Sequence, residues 1–283
     1  MKLGVSSYSF AYCISKEHWT YADVCKKAKE LGFDGIEFVG LNSWKTAPDE
    51  LVTAREIREL CASLDLPIAA YTVGANFLSS DIEAEKARLR HDLDVAAALG
   101  APVLRHDATF SLKKTPGYHW KDGIAEMAPH IREIAAYAET LGIRTCTENH
   151  GFIYQAPARV EELIRTVNHP NYGWLVDIGN FLCADADPTE AVSIAAPYAF
   201  HVHVKDFLKK SGSECAPEGF LQTSRGNFIR GTVAGHGIVP IPQCLSILKK
   251  AGYDGFVSLE FEGLEQNIKA LELGVAYLRR VLP

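Results

Sequence analysis

The chain alternates short, mainly apolar runs with longer segments in which apolar residues recur at helical spacing. The short runs are typical of strands buried on both faces of a parallel sheet, and the longer segments are typical of amphipathic helices. The eight predicted strands cover residues 2–6, 35–39, 68–73, 103–106, 144–148, 173–177, 200–204 and 256–260. The predicted helices lie near residues 18–31, 50–63, 81–99, 121–140, 157–168, 188–196, 241–251 and 265–281.

The joints between predicted helices and strands carry Gly32, Gly100, Gly142 and Gly252. A glycine in this position adopts the left-handed conformation that ends a helix. Eight strand–helix units in 283 residues match the size of a (β/α)8 TIM barrel. A doubly wound open sheet would favour a glycine-rich phosphate turn after the first strand, where this chain has serines and aromatic residues. The pattern therefore predicts an α/β fold, a single-domain TIM barrel over residues 1–283.

Residues 207–237 interrupt this rhythm, because they are rich in glycine, serine and single charges and show little helical or strand pattern. Long loops inside a compact domain are uncommon and are usually functional or disordered. The segment follows the seventh predicted strand, so we expect it on the C-terminal face of the barrel, where active sites of this fold lie.

Charge and cysteine usage narrow the classes of partner. The net charge is -6, and no apolar run approaches the roughly 18 residues that span a bilayer, which argues against a nucleic-acid or membrane partner. The first residues carry one positive charge and resemble neither a secretory nor a transit signal. The seven cysteines form no C-x-x-C pair. We therefore expect reduced thiols and a cytoplasmic location.

Acidic and histidine residues stand at the ends of four consecutive predicted strands: Glu148, Asp177, His203 and Glu260. Taken singly, each is best interpreted as a solvated or ion-paired group. Together they would meet at the barrel mouth, where three carboxylates repel one another unless a cation compensates them. The pattern predicts one divalent metal ion, and these ligand types suit Mn²⁺, Mg²⁺, Co²⁺ or Zn²⁺.

Several sequence phrases resemble those of the xylose isomerase-like TIM barrels. The phrases are Glu148-Asn149-His150-Gly151, Asp177-Ile178-Gly179-Asn180, His201 to Asp206, Gly235 to Ile238 and Gly252 to Gly263. This family of sugar phosphate isomerase/epimerase-like proteins includes the ketose 3-epimerases and the inosose dehydratases. The resemblance implies a sugar-transforming enzyme that binds a small carbohydrate and forms dimers or tetramers.

By position, the resemblance implies Glu148, Asp177, His203 and Glu260 as metal ligands, with Glu148 and Glu260 also catalytic. His201 competes with His203 because strand alternation places both on one face, but His203 lies closer to the C-terminal end. The chain also departs from the pattern. Ketose epimerases commonly have a histidine three positions after the metal-binding aspartate, where this chain has Asn180.

Further residues are candidates for substrate contacts. Those at strand ends or just beyond them are Lys205, His150, Asn180, His106 and Glu37. For Lys205 the alternative is an ion pair with Asp206 or Glu262, and for His106 and Glu37 it is to hold a metal ligand in place. In the long loop, Arg225, Arg230 and His236 are candidates for recognising an anionic group, although a solvated loop is the alternative. Phe10 and Trp120 are candidate walls for a sugar ring.

Four functions remain open from the sequence. The first is a metal-dependent isomerase or epimerase that transfers a proton through an enediolate, and the second is a lyase or dehydratase acting on a keto-sugar or inosose. The third is an apurinic endonuclease, against which the net charge argues. The fourth is a non-catalytic sugar-binding subunit.

Overall fold

A computed structural model of the protein describes residues 1–44, 47 and 49–283. Eight parallel strands close into a barrel in the order β1-β11-β7-β6-β5-β4-β3-β2. These strands are β1 (Lys2–Ser6), β2 (Gly35–Val39), β3 (Ile68–Val73), β4 (Val103–His106), β5 (Arg144–Glu148), β6 (Tyr172–Asp177), β7 (Ala199–Val204) and β11 (Phe256–Leu259). The predicted TIM barrel is confirmed, and Glu260 lies one residue beyond its strand rather than inside it.

The described part of the chain contains nine α-helices, most of which connect consecutive barrel strands. They are α1 (Ala11–Lys16), α2 (Tyr21–Glu30), α3 (Glu50–Ser63), α4 (Ile82–Leu99), α5 (Trp120–Thr140), α6 (Pro157–Val167), α7 (Pro188–Ala195), α8 (Ile241–Lys250) and α9 (Asn267–Val281). The short helix α1 was not predicted. Local signals set the ends of α2 and α4: Thr20 and Asp23 form a capping box, and Gly100 takes a left-handed φ of 75°.

Strand alternation decides which polar side chains face the inside of the barrel. A small apolar cluster, separate from the main core, contains one residue from each of β3 to β6: Ala70, Val103, Cys146 and Leu175. Side chains two positions apart share one face of a strand. The residues two positions further along these strands are Thr72, Arg105, Glu148 and Asp177. They therefore lie above the apolar cluster, at the carboxyl end of the barrel.

The segment at 207–237 is not the unpatterned loop that was predicted. It contains most of a three-stranded sheet in the order β8-β10-β9, with β8 at Asp206–Lys210, β9 at Leu221–Gln222 and β10 at Phe228–Thr232. Both strand pairs are antiparallel. The sequence missed these strands because they are short, rich in charge and paired through contacts distant in sequence. The segment does follow β7 directly, as predicted.

Within the described part of the chain, no helix combines the length and apolar character that crossing a membrane requires.

Candidate active site

Four side chains converge at the carboxyl ends of neighbouring barrel strands. One ligand atom from each of Glu148, Asp177, His203 and Glu260 lies within 4.8 Å of the others. The first three residues are buried, and the Glu260 side chain is 12% exposed. We call these four residues the acidic cluster. They are the set that the sequence proposed as metal ligands.

The Nδ1 atom of His203 faces the three carboxylates of the acidic cluster. It lies 3.9 Å from Glu148 Oε1, 3.9 Å from Asp177 Oδ2 and 3.7 Å from Glu260 Oε2. This buried nitrogen has no hydrogen-bond partner among the described residues. Three carboxylate oxygens around a free imidazole nitrogen are a donor set that fits a divalent cation.

Glu37 holds His203 in this orientation. One oxygen, Oε1, lies 2.7 Å from Nε2 of His203, and the other, Oε2, lies 2.5 Å from Nε2 of His201. Burial alone would raise the pKa of Glu37, but the two histidines hold it well below its usual range. Glu37 is fully buried, so it positions a candidate ligand rather than contacting substrate. His201 also bonds Ser258 Oγ at 3.1 Å and lies outside the acidic cluster.

Lys205 places a positive charge next to the acidic cluster. Its Nζ atom lies 2.5 Å from Glu260 Oε2, 3.1 Å from Asp177 Oδ2 and 3.7 Å from Glu262 Oε2. The Lys205 side chain is 5% exposed. Even so, burial raises the pKa of Asp177 to about 7, because the nearby Glu148 adds to the effect of desolvation and Lys205 offsets only part of it. Lys205 is therefore ion-paired, with Glu262 but also with two residues of the acidic cluster.

Arg105 and Asp107 belong to the site and were missed by the sequence analysis. Arg105 Nη2 lies 2.6 Å from Glu148 Oε2 and donates to Asp107 Oδ1 at 2.9 Å. The same Asp107 oxygen lies 2.8 Å from His150 Nδ1. His150 is exposed, so a chain of polar contacts runs from buried Glu148 to an imidazole at the surface. Strand alternation could have identified Arg105, because it lies on the same face of β4 as the inward-pointing Val103.

The prediction that His106 contacts substrate is wrong. Its ring is fully buried, 5.1 Å from the ring of Phe77 and stacked 5.8 Å from that of Tyr172. Both neighbours belong to the main hydrophobic core rather than to the cluster inside the barrel. Burial lowers the pKa of His106 to about 4. The residue faces outward because it alternates with Arg105.

Two asparagines bond Glu148 and Asp177: Asn180 contacts their carboxylates, and Asn149 contacts the backbone of Asp177. Asn180 Nδ2 donates to Glu148 Oε1 at 2.8 Å, and its backbone N–H donates to Asp177 Oδ1 at 2.9 Å. Asn149 Nδ2 donates to the Asp177 carbonyl at 2.8 Å. Asn180 was a substrate-binding candidate, and in the structure it orients Glu148.

Of the two aromatic candidates, Phe10 is buried and Trp120 is half-buried. Phe10 is fully buried and its ring stacks 6.4 Å from that of Trp19, so it offers no wall to a ligand. Trp120 begins α5, and the side-chain cations of Lys121 and Arg159 each lie 5.3 Å from its ring centroid. The exposed ring of Phe110 lies beside the site, 6.1 Å from the ring of His150. The burial of Phe10 was not recognisable from the sequence, since its packing partners decide it, and the role of Trp120 as a wall for a sugar ring stays a prediction.

The basic residues predicted to recognise an anion lie in the region of the small sheet. Arg230 Nη2 is 3.7 Å from Glu265 Oε1, so a carboxylate already faces its charge. Arg225 is exposed, and its backbone N–H donates to Asp185 Oδ2 at 2.7 Å. His236 is exposed in the turn after β10. A ligand-binding role for Arg225, Arg230 and His236 stays a prediction.

Comparison with known proteins identifies the family. The family model of the xylose isomerase-like TIM barrels matches residues 25–281. This chain belongs to the xylose isomerase-like TIM barrel family. The match includes the whole acidic cluster, and it confirms the resemblance found in the sequence.

Relatives within this family include dehydratases and epimerases. An inosose dehydratase of Clostridium perfringens is 26% identical over 263 residues, covering 88% of this chain and 84% of the relative. A fructoselysine 3-epimerase of Escherichia coli O157:H7 is 23% identical over 254 residues, covering 86% of each protein. The crystal structure of D-psicose 3-epimerase from Clostridium cellulolyticum H10 superposes with a TM-score of 0.74 at 20% identity, covering 100% of this chain and 99% of that one. At that identity the superposition concerns the fold alone.

Proposed function

We propose that this protein is a divalent-metal-dependent isomerase or epimerase that moves a proton next to the carbonyl of a small carbohydrate. The observation that carries the proposal is the acidic cluster, in which three carboxylates and the free Nδ1 of His203 lie within ligand distance of one another. The names of the relatives, which include two carbohydrate-derived substrates, support the same class of substrate.

Glu148, Asp177, His203 and Glu260 would hold the metal ion. A divalent ion there supplies Lewis acidity that makes the hydrogen beside a carbonyl more acidic. Glu148 and Glu260 transfer the proton: one carboxylate removes it as general base, and the other returns it as general acid. Their placement on β5 and just after β11 supports this, because the two strands are separated by β6 and β7 in the barrel.

The fate of the proton decides the product. Its return to the opposite face of the same carbon gives an epimer, and its transfer to the neighbouring carbon gives an aldose–ketose isomer. Loss of a β-hydroxyl from the same enediolate gives a dehydrated product. The second candidate function is therefore a lyase acting on a keto-sugar or inosose, which the similarity to an inosose dehydratase favours.

An apurinic endonuclease is not supported by the donor set. A cluster of several zinc ions would need additional histidines, and the acidic cluster offers one imidazole among three carboxylates.

Proton exchange with deuterated solvent tests the proposal. Keto- and aldo-sugars are incubated with the protein and Mn²⁺ in D₂O, and loss of the C–H signal is followed by NMR. We expect exchange that stops in Glu148→Gln and Glu260→Gln, and that persists in Glu218→Gln, a control in an exposed loop. Exchange retained in both cluster variants would exclude them as proton-transfer groups. An α,β-unsaturated or deoxy product would identify the lyase.

A further inference from the structure

A hydroxyl group from the chain that follows β1 lies against the backbone on both sides of Glu260. It belongs to Ser9, in the short 3-10 helix Ser7–Phe10, where the sequence has serines and aromatic residues instead of a glycine-rich turn. The Ser9 Oγ atom donates to the Leu259 carbonyl at 3.2 Å and accepts the Phe261 N–H at 2.9 Å. One fully buried hydroxyl therefore holds the peptide group before Glu260 and the peptide group after it.

These two bonds take the place of strand pairing that ends before Glu260. The last pair in the ladder between β1 and β11 is Val5 with Leu259, and Glu260 lies one residue beyond β11. On the side of β7, the Glu260 N–H still donates to the Val204 carbonyl at 2.9 Å. On the side of β1, the chain has already turned into the 3-10 helix. Because buried backbone groups without partners are costly, the Ser9 hydroxyl supplies the partners that β1 no longer offers.

The backbone of Ser9 is held in turn by the last helix. The Ser9 carbonyl accepts Asn267 Nδ2 at 2.8 Å, and Asn267 is the first residue of α9. Ser9 and Leu259 are 250 residues apart in the sequence, so these contacts form only when the two ends of the chain meet in the closed barrel. The hydroxyl is therefore fixed independently of β11, the strand that it holds.

Glu260 needs such support more than the other members of the acidic cluster do. Glu148, Asp177 and His203 all lie inside barrel strands, whereas Glu260 does not. The Glu260 Oε2 atom lies 3.7 Å from His203 Nδ1 and 2.5 Å from Lys205 Nζ. Misplacing a reacting group by about 1 Å can cost roughly a hundredfold in rate. The backbone that carries this carboxylate must therefore be held by contacts other than the strand ladder.

We propose that Ser9 is a positioning residue for Glu260, which fixes the carboxylate within the acidic cluster through the two flanking peptide groups. Ser9 is fully buried, so it acts through Glu260 and does not contact substrate. The inference rests on the proposed function, because it concerns a residue that holds the metal ion and transfers the proton in that function.

The affinity for Mn²⁺ tests this role without any turnover. Ser9→Ala removes the hydroxyl, and dissociation constants are measured by EPR titration of the full chain. We expect Ser9→Ala to weaken Mn²⁺ binding by about tenfold or more, the effect of losing a group that orients a ligand. The matched control is Tyr253→Phe, which removes a hydroxyl that donates to the Phe256 carbonyl at 2.5 Å, at the opposite end of β11. Tyr253→Phe should leave the constant unchanged, and an equal constant in Ser9→Ala and the native protein would overturn the proposal.

Asn267→Ala is a second variant, at a half-buried position, and it decides the question if Ser9→Ala does not fold. It removes the bond to the Ser9 carbonyl and leaves the hydroxyl in place. We expect Mn²⁺ binding weaker by about threefold or more, which corresponds to the loss of one hydrogen bond. Native affinity in a folded Asn267→Ala protein would contradict the positioning role.

A double-mutant cycle separates positioning of Glu260 from a general loosening of the barrel. In the Glu260→Gln protein, Ser9→Ala should weaken Mn²⁺ binding no further, because the carboxylate that it positions is already absent. In the Glu148→Gln protein, the same substitution should still weaken binding by about tenfold, since independent effects add. Equal further weakening in both proteins would mean that Ser9 acts on the whole barrel, and it would refute the assignment.

Failure of the proposed function gives a different result. A native protein that neither binds Mn²⁺ nor exchanges hydrogen with solvent would refute that function, and the role of Ser9 with it. Mn²⁺ binding that depends on Ser9, without any solvent exchange, would keep the positioning role and refute proton transfer. Native Mn²⁺ binding and solvent exchange that Ser9→Ala leaves unchanged would refute the role of Ser9 alone.

Discussion

Glu37 shows how a single buried carboxylate decides what a histidine can bind. Its Oε1 atom, 2.7 Å from His203 Nε2, occupies one imidazole nitrogen and leaves Nδ1 facing the acidic cluster. Carboxylates in this position orient ligand histidines and raise metal affinity. The sequence predicted Glu37 at a strand end, whereas it lies in the middle of β2, and its distance to His203 depends on how β2 and β7 face each other across the barrel.

We predict that Glu37→Gln weakens Mn²⁺ binding by about 10- to 100-fold, because the amide no longer fixes the orientation of His203. The dissociation constant is measured by isothermal titration calorimetry. The control is Ser258→Ala, which removes a 3.1 Å contact to His201 and leaves the 2.7 Å contact between Glu37 and His203. An unchanged constant in Glu37→Gln would show that Glu37 does not position a ligand.

Asp92 makes the stability of the fold depend on pH. Burial raises its pKa from 3.8 to about 6, although Arg88 acts in the opposite direction. The folded chain therefore holds this proton more tightly than the unfolded chain does. The resulting stability is present below about pH 4 and is lost as the pH rises through about 6.

We predict that Asp92→Asn, which cannot ionise, gains stability relative to the native protein as the pH rises from about 4 to about 7. The relative gain in free energy of unfolding is up to about 3 kcal/mol, because the pKa of Asp92 differs by roughly two between the folded and the unfolded chain. Urea unfolding at several pH values measures it. Asp65→Asn, at an exposed turn, is the control. Parallel pH curves for Asp92→Asn and the native protein would contradict the assignment.

At the scale of elements, Asp206 ties the small sheet to the barrel. It is the first residue of β8, and its carboxylate accepts the backbone N–H groups of Phe207, Gly235, Gly237 and Val239 at 2.8–3.0 Å. A side chain at Gly237 would not fit, because a Cβ atom there would lie 2.2 Å from Asp206 Oδ1. One buried aspartate therefore sets the path of the chain between β10 and α8.

We predict that Asp206→Ala lowers the free energy of unfolding by about 3 kcal/mol, because buried N–H groups lose a charged acceptor. Hydrogen exchange should accelerate first at residues 235–239. Urea unfolding and exchange mass spectrometry measure the two effects, with Glu218→Gln in the same segment as control. Unchanged protection at 235–239 would mean that other contacts hold this turn.

At the scale of the whole molecule, the barrel concentrates negative charge at one end. The carboxylates of Asp177, Glu260 and Glu262 lie around one ammonium group, that of Lys205, and Glu148 faces the guanidinium group of Arg105. Burying carboxylates without a cation is strongly unfavourable. Stability of the chain should therefore depend on the cations present at this end.

The cytoplasmic location and the homo-oligomer stay predictions, as does the extent of the single domain.

We predict that Lys205→Met lowers the free energy of unfolding of the metal-free protein by about 3–5 kcal/mol, because it leaves buried carboxylates uncompensated. Added Mn²⁺ should restore much of this loss, since an ion that binds only the folded state stabilises it. Urea unfolding with EDTA or with Mn²⁺ measures both effects. The exposed Lys209→Met is the control. A metal-free Lys205→Met protein as stable as the native one would show that Lys205 is not the compensating cation.

Local sequence determined the barrel and most of the acidic cluster. The spacing of apolar residues and the glycines that end helices are local patterns, which can be identified from a short stretch of sequence. They were enough to predict the strands and to place Glu148, Asp177 and His203 at strand ends. Strand alternation also predicts that Arg105 faces the inside of the barrel, although the sequence analysis chose His106 as the substrate-contact candidate on that strand. Tertiary structure alone decided the partners of Lys205, the burial of Phe10, and the antiparallel sheet beyond β7. Each of these depends on side chains or strands that are distant in sequence and meet only when the barrel closes.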